Sequence, residues 1–217
     1  MTSFVLARHG ETVWHAENRY AGRCDVPLTP HGEAQAERLA GWAATAGLAA
    51  AVASPLSRAR ETLAPAARAA GLTMRTDARL AELDFGRGEG HTRAEMARLF
   101  PVALAAFHRD PVTHHLPAGE DPHHAVARAT ACLTELAAEF AGQRVLIVWH
   151  STVMRLVLCH LLDIPLPSYR RVFPSVRSSG LTEIHLARDR CALLAFNTPV
   201  ETAPRRANHP SSHTEIL

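Results

Sequence analysis

The sequence has no lysine. All 23 of its basic residues are arginine, which excludes a Schiff-base lysine and the lysine of a phosphate-binding P-loop. Cysteine is sparse. Cys24, Cys132, Cys159 and Cys191 form no CxxC pair, so neither a zinc site nor a disulfide is expected of what reads as an intracellular chain. Long apolar runs are missing too. None approaches the roughly 18 residues of a membrane span. Arg8 and His9 interrupt the first apolar run too early for a signal peptide. Neither charge sign is in large excess, and a formal net charge of +2 gives no argument for nucleic acid. A soluble, cytoplasmic protein without membrane or nucleic-acid partners is the expectation.

What is present suits one buried core. With 217 residues, 47% of them hydrophobic, the chain fits one domain, with or without an inserted subdomain. Ser3 to Ala7 reads as a strand, and a long loop follows over His15 to Leu28. Thr29-Pro30 sets a capping hydroxyl before a proline suited to a first helical turn. Ala36, Leu39, Ala40 and Ala43 continue at helical spacing to a stop at Gly47. Ala49 to Ala53 is a second strand. Ser54-Pro55 repeats the cap-then-proline signal, for a helix that Pro65 is expected to kink or divide. Leu72 to Arg75 is a third strand candidate. Thr92 and Glu95 form a capping box for a helix ending near Pro101, and residues 101 to 120 show little periodicity. Asp121-Pro122 caps a long helix to Phe140. Val145 to Val148 is the strongest strand of all, and Ser151 is placed to cap the helix after it, to about Leu162. Thr182 to Leu186 and Ala192 to Phe196 read as a closing hairpin. This alternation implies an α/β fold of three layers, a mostly parallel central sheet with helices on both faces. The domain is expected over 1–198, with 199–217 a loosely ordered tail.

Two strands run directly into histidine. His9 follows Phe4-Val5-Leu6-Ala7-Arg8, and His150 follows Val145-Leu146-Ile147-Val148-Trp149. Arg58 lies just past a third. If these strands are parallel neighbours, their carboxyl ends bring the side chains to one sheet edge, where open α/β sheets hold their ligands. A rigid imidazole can attack phosphorus, and guanidinium forks match phosphate oxygens. Gly10 is read as letting the backbone approach a bound group without an intervening Cβ.

Five motifs occur in order: Arg8-His9-Gly10-Glu11-Thr12; Asp25-Val26-Pro27-Leu28-Thr29 with Gly32 and Gln35; Ser54-Pro55-Leu56-Ser57-Arg58-Ala59-Arg60-Glu61-Thr62; Glu82-Leu83-Asp84-Phe85-Gly86; and His150 after its strand. Together they resemble the histidine phosphatase superfamily, in its phosphoglycerate-mutase-like branch, over about residues 3 to 197. The resemblance implies that His9 becomes a phosphohistidine. It implies that Arg8, His15, Arg58, His150 and Ser151 hold the phosphoryl oxygens. Glu82 matches the family's proton donor, with the neighbouring Glu89 as its rival. No metal or organic cofactor is implied. The chain departs from the usual pattern at His15, where the family has asparagine and where an imidazole is expected to donate to phosphate. It departs again at Trp149 and Ser151, which flank His150 in place of a small residue and a glycine. Gly88 stands where a tryptophan is usual, and Trp149 is read as filling part of that space.

A small-molecule phosphomonoesterase is the first expectation. The stretch between Glu82 and His150 is short, and Phe85-Gly86 and Gly119-Glu120 are similar to α-ribazole phosphatase and broad-specificity phosphatases, whereas mutases carry a longer insertion. The loop Val13 to Tyr20 looks mutase-like, so a phosphoglycerate-type mutase stands second. A non-catalytic phospholigand-binding protein stands third, and the retention of Arg8, His9, Arg58, Glu82 and His150 argues against it. The partner is a small phosphorylated substrate, and a homodimer is left open. Segment 91–125 is expected to be an inserted cap that sets substrate choice, with His108, His114, His115 and Arg109 at its mouth. The adjacent pairs His114-His115 and His123-His124 point apart, which disfavours a metal site. Trp14 and Tyr20 are read as loop packing.

Overall fold

The computed structural model describes residues 1–187 and 190–200, so the tail expected over 199–217 lies almost wholly outside the described residues. Six strands form one sheet in the order β3-β2-β4-β1-β5-β6. They are β1 (Thr2–Arg8), β2 (Ala50–Ala53), β3 (Met74–Thr76), β4 (Arg144–Trp149), β5 (Leu181–Leu186) and β6 (Cys191–Thr198). The first four are parallel, and the β5–β6 hairpin joins β1 antiparallel. The helices are α1 (Pro30–Ala43), α2 (Ser57–Ala69), α3 (Arg93–Leu99), α4 (Pro101–Arg109), α5 (Pro122–Glu139), α6 (Ser151–Leu161) and α7 (Tyr169–Val172). None among the described residues is long and apolar enough to cross a membrane.

Alternation along the central strands builds the three expected layers. Phe4, Leu6, Val145 and Ile147 share one core with buried residues of α5 and α6. Val5, Ala7, Leu146 and Val148 share the other with α1 and α2. Burial on both faces explains why β1 and β4 read as continuous apolar runs. The four cysteines are free thiols.

Local chemistry accounts for the helix starts and for several departures from expectation. Thr29 caps α1 by accepting from the Gly32 N–H at 3.0 Å. The Thr92–Glu95 capping box is complete in both directions. Pro65 does not divide α2. Its missing donor leaves one solvent-side gap, while Leu63, Ala66 and Ala67 stay buried against the sheet, and that packing outweighs the lost bond. The third strand lies at 74–76, displaced toward the carboxyl end from the 72–75 read in the sequence. Helix α4 is unannounced by periodicity because it buries only Leu104 and Phe107.

Register places the chemistry. Arg8 is opposite Trp149, and the His9 N–H donates to the Trp149 carbonyl at 2.9 Å. The Ser54 N–H donates to the Val148 carbonyl at 3.0 Å. The carboxyl ends of β1, β4 and β2 are therefore flush, and His9, His150 and Ser54 leave the sheet side by side.

Candidate active site

His9 is buried, and its ring is held at one nitrogen. Nδ1 is 2.7 Å from the Gly10 carbonyl. A carbonyl only accepts, so Nδ1 carries the proton. Nε2 keeps its lone pair and accepts from Arg58 Nε at 3.2 Å. Burial, then the charges of His150, Arg8 and Arg58, hold the His9 pKa well below 6.5. A neutral imidazole with an unprotonated Nε2 is the nucleophilic form.

Gly10 serves a different purpose from the one read in the sequence. A Cβ there would meet the Gly32 carbonyl oxygen at 2.7 Å. Its close approach is to the first turn of α1, not to the cleft. The Gly10 N–H donates to Thr62 Oγ1 at 2.9 Å, which ties this turn to α2.

Arg58 is almost wholly buried. Nη1 and Nη2 donate to the carbonyls of Cys24 and Gly22 at 2.6 and 2.7 Å, so it pins the 22–24 loop while its Nε faces His9. Arg8 donates from Nη1 to the Val176 carbonyl at 2.8 Å and from Nη2 to His15 Nε2 at 2.6 Å. Its Nε is buried with no partner among the described residues. Burial pushes the Arg8 pKa down to about 10, with the Glu82 charge acting in opposition.

Since arginine only donates, His15 Nε2 is an acceptor, while Nδ1 lies 2.9 Å from the Thr12 backbone nitrogen and 2.8 Å from Thr12 Oγ1. Burial first, then Arg8, lowers the His15 pKa. His15 was expected to donate to phosphate. Here both ring nitrogens are engaged inside the protein, and the imidazole aims Arg8.

His150 is fully buried behind His9, their ring centroids 5.2 Å apart. Its Nε2 pairs with Ser54 Oγ at 2.7 Å, and its Nδ1 has no partner among the described residues. Burial, then Arg58 and Arg8, holds its pKa well below 6.5. Ser54 was read as a helix cap. Its hydroxyl serves His150 instead, and α2 begins three residues later, where Asp25 Oδ1 accepts from the Ser57 N–H at 2.8 Å.

Glu82 takes the capping role expected of Ser151. Its carboxylate accepts from the N–H groups of Thr152 at 3.0 Å and Val153 at 2.9 Å, at the start of α6. A third bond comes from the Leu83 N–H at 2.8 Å. Ser151 makes no capping bond. The rival carboxylate, Glu89, is spent elsewhere. It accepts from the N–H groups of Arg23 and Phe85 and from Cys24 Sγ, and burial together with Glu89 pushes the Cys24 thiol up to about 11.

The chain around Glu82 hangs on Arg128 of α5, which sequence reasoning did not single out. Arg128 donates to the carbonyls of Arg79, Ala81 and Glu82 and bidentately to Glu120. Glu120 in turn accepts from the Asp84 N–H. Arg128→Met strands these acceptors. We expect a loss of about 2–3 kcal/mol in urea-unfolding stability and a fall in kcat of roughly 10-fold as Glu82 loses its fixed position.

A cleft of about 380 Å³ opens over this edge. Arg8, His9, His15, Arg58, Glu82 and Ser151 line it, and His150 does not. The outer wall is Trp14, Tyr20, Arg155, Tyr169 and Arg170. Trp14 and Tyr20, read as packing, thus face the cleft, although Tyr20 also stacks edge-on against Phe85 and Phe107. No residue of 91–125 is among the lining, and His108, Arg109, His114 and His115 lie away from it. That segment supports the cleft from outside the lining: Glu95 pairs with Arg19 at 2.8 Å, the His91 carbonyl accepts from the Tyr20 N–H at 3.1 Å, and Phe107 packs against Tyr20 and Arg170. The sequence reading missed Arg155, Tyr169 and Arg170. Arg155 was accessible to it: four residues beyond Ser151 on one helix, it shares that residue's face. The Gly88 space is occupied by Leu116, whose Cδ1 would lie 2.4 Å from an added Cβ, and not by Trp149.

The two buried histidines set an acid limit on the fold. In the folded chain both resist protonation, whereas in the unfolded chain they titrate near 6.5. Below pH 6.5 the unfolded chain binds protons that the folded chain does not, so stability falls as pH falls. The slope approaches about 1.4 kcal/mol per pH unit for each histidine. Urea titrations are expected to lose about 3 kcal/mol between pH 6.5 and 5, and to show no dependence on these two groups above pH 7.5.

Comparison with known proteins follows the same outline. The family model of the histidine phosphatase superfamily (branch 1) matches residues 4–199. A probable phosphoglycerate mutase GpmB of Klebsiella pneumoniae is 33% identical over 203 residues, covering 94% of this chain and 93% of its own. The solved structure of Bacillus stearothermophilus YhfR superposes with a TM-score of 0.85 at 29% identity, covering 91% of this chain and 98% of that one. Mycobacterial glucosyl-3-phosphoglycerate phosphatase in complex with VO3 superposes at 0.82 with 25% identity, covering 90% and 99%.

Proposed function

From the membership of this chain in the histidine phosphatase superfamily, branch 1, we propose that it hydrolyses a small phosphomonoester without a metal, through a phosphohistidine on His9. The observation that carries this reading is the state of His9: Nδ1–H fixed by the Gly10 carbonyl, Nε2 unprotonated beside Arg58 Nε, and Arg8 lining the same cleft. Nε2 attacks phosphorus, and the bond from phosphorus to the ester oxygen breaks. Glu82 acts as the general acid and passes a proton to the departing alkoxide. Arg8, Arg58 and the Nδ1–H of His150 answer the charge on the phosphoryl oxygens. Water then attacks the phosphohistidine, giving its proton to the Glu82 carboxylate. The P–N bond breaks, returns its electron pair to Nε2 and releases inorganic phosphate. This role for His150 requires Ser54 Oγ to donate to Nε2 and the imidazole proton to sit on Nδ1, the atom without a partner among the described residues.

A mutase is the second reading, favoured by the Klebsiella relative's name and its 33% identity. A mutase would return the phosphoryl group to a second hydroxyl of the substrate instead of to water. Incubation with 3-phosphoglycerate separates the two. Free phosphate is the expected product, and 2-phosphoglycerate without phosphate release would replace hydrolysis with isomerisation.

A further inference from the structure

Several guanidinium groups among the described residues meet a carboxylate. Arg19, Arg23, Arg75, Arg79, Arg128 and Arg144 each have one at 3.4 Å or less. Four that line the cleft do not: Arg8 and Arg58 beside His9, and Arg155 and Arg170 farther from it. Among the described residues, neither Arg155 of α6 nor Arg170 of α7 has an acidic partner. Arg155 spends Nε on the Ser151 carbonyl at 3.1 Å and Nη1 on the Phe173 carbonyl at 3.3 Å. Arg170 spends Nε on the Tyr169 hydroxyl at 2.9 Å. Nη2 of Arg155 and both Nη groups of Arg170 donate to no acceptor among the described residues.

These groups are held in place. The Arg155 guanidinium lies 5.1 Å from the Tyr169 ring centroid. That of Arg170 lies 4.6 Å from the Phe107 centroid and 5.4 Å from that of Tyr169. Stacking fixes a guanidinium plane and leaves its donor edge open, so little rotamer entropy is lost when an anion arrives. Inner-cleft charge is already sufficient for a phosphoryl dianion, since Arg8 and Arg58 supply two cations beside His9. Arg155 and Arg170 exceed that need. Glu82 is the one carboxylate lining the same cleft, and its oxygens are taken up by the N–H groups of Leu83, Thr152 and Val153.

We propose that Arg155 and Arg170 form an outer anion subsite, which takes a second acidic group, carboxylate or phosphate, on the same phosphomonoester. This rests on the reading of the cleft as a phosphomonoester site and narrows its substrates to esters with two anionic ends. The guanidinium edges suit either oxyanion.

Binding tests the subsite independently of turnover. In the His9→Ala protein, calorimetry compares 3-phosphoglycerate with glycerol 3-phosphate, 6-phosphogluconate with glucitol 6-phosphate, and 1,3-propanediol bisphosphate with propyl phosphate. Each pair differs in the second anion, over two spacer lengths for carboxylate. The expected result is a Kd lower by roughly 10- to 100-fold for the doubly anionic member of at least one pair. Adding Arg170→Gln should shrink that advantage below about 3-fold, and Arg170→Lys should keep part of it. Which pair responds identifies carboxylate or phosphate as the second group. Equal affinities within every pair, or an advantage that survives Arg170→Gln, would overturn the subsite. Unmutated protein that releases no phosphate from any of the six compounds, with the Kd differences intact, would overturn hydrolysis and leave the subsite standing.

Discussion

His9→Ala is expected to lower kcat/KM for phosphate release by about 10⁴- to 10⁶-fold, the scale on which enzymes lose activity with their nucleophile. The size follows from the arrangement at β1. No other side chain in the cleft offers an unprotonated nitrogen between Arg8 and Arg58. His150, 5.2 Å away by ring centroid, pairs its Nε2 with Ser54 Oγ at 2.7 Å. The variant also has a structural signature that separates lost chemistry from lost folding. Removing one of two buried neutral histidines should reduce the loss of stability between pH 6.5 and 5 by about half. A variant that is folded, with this shallower acid dependence, and inactive fits the assignment. Residual turnover within about 10-fold of the unmutated protein would assign the nucleophile elsewhere.

Glu82→Gln carries the second-largest expected effect, a fall in kcat of about 10²- to 10⁴-fold for alkyl phosphates. Leaving groups decide the magnitude. An alkoxide needs a proton as it departs, whereas p-nitrophenolate leaves without one. The defect should therefore shrink to about 10-fold or less with p-nitrophenyl phosphate if phosphohistidine formation limits that ester. There is a stability cost as well. The carboxylate accepts from Thr152, Val153 and Leu83. An amide places an NH2 group against one of these donors and loses the cap charge at the α6 N-terminus, a change of about 1 kcal/mol in urea unfolding. An equal defect on both classes of ester, with no phosphorylated protein accumulating, would make Glu82 a cap of α6 and not a proton donor.

Much of this site is legible in the sequence because its inner residues follow strands. The apolar runs before His9 and His150 are read correctly as buried strands. Parallel neighbours with flush ends then bring both histidines to one edge without further information. What escaped the reading depends on partners distant in the chain. Ser54 and Ser151 carry a helix-cap signal, yet the Ser54 hydroxyl is claimed by His150, and the end of α6 is capped by Glu82 from a loop seventy positions earlier. Local propensity has no access to either contact. Gly10 reads as a ligand-facing glycine, but the atom it accommodates is a carbonyl of α1. The outer wall was misplaced for a related reason. The histidine-rich segment 101–120 attracts attention by composition, whereas Arg155, Tyr169 and Arg170 sit in ordinary helical sequence and gain their position only when α6 and α7 pack beside the 14–22 loop. His15 shows the same limit at one residue. Its type is compatible with phosphate binding, and only the 2.6 Å contact to Arg8 reveals that it serves as an acceptor.

Rapid alkaline quenching during turnover of a 32P-labelled phosphomonoester tests the covalent step most directly. Protein-bound label that is stable to alkali, released by acid, present in Glu82→Gln and absent in His9→Ala is the predicted result. Steady release of phosphate by the unmutated protein, with no labelled protein at any quench time and none accumulating in Glu82→Gln, would contradict a phosphohistidine on His9 and point to direct attack by water.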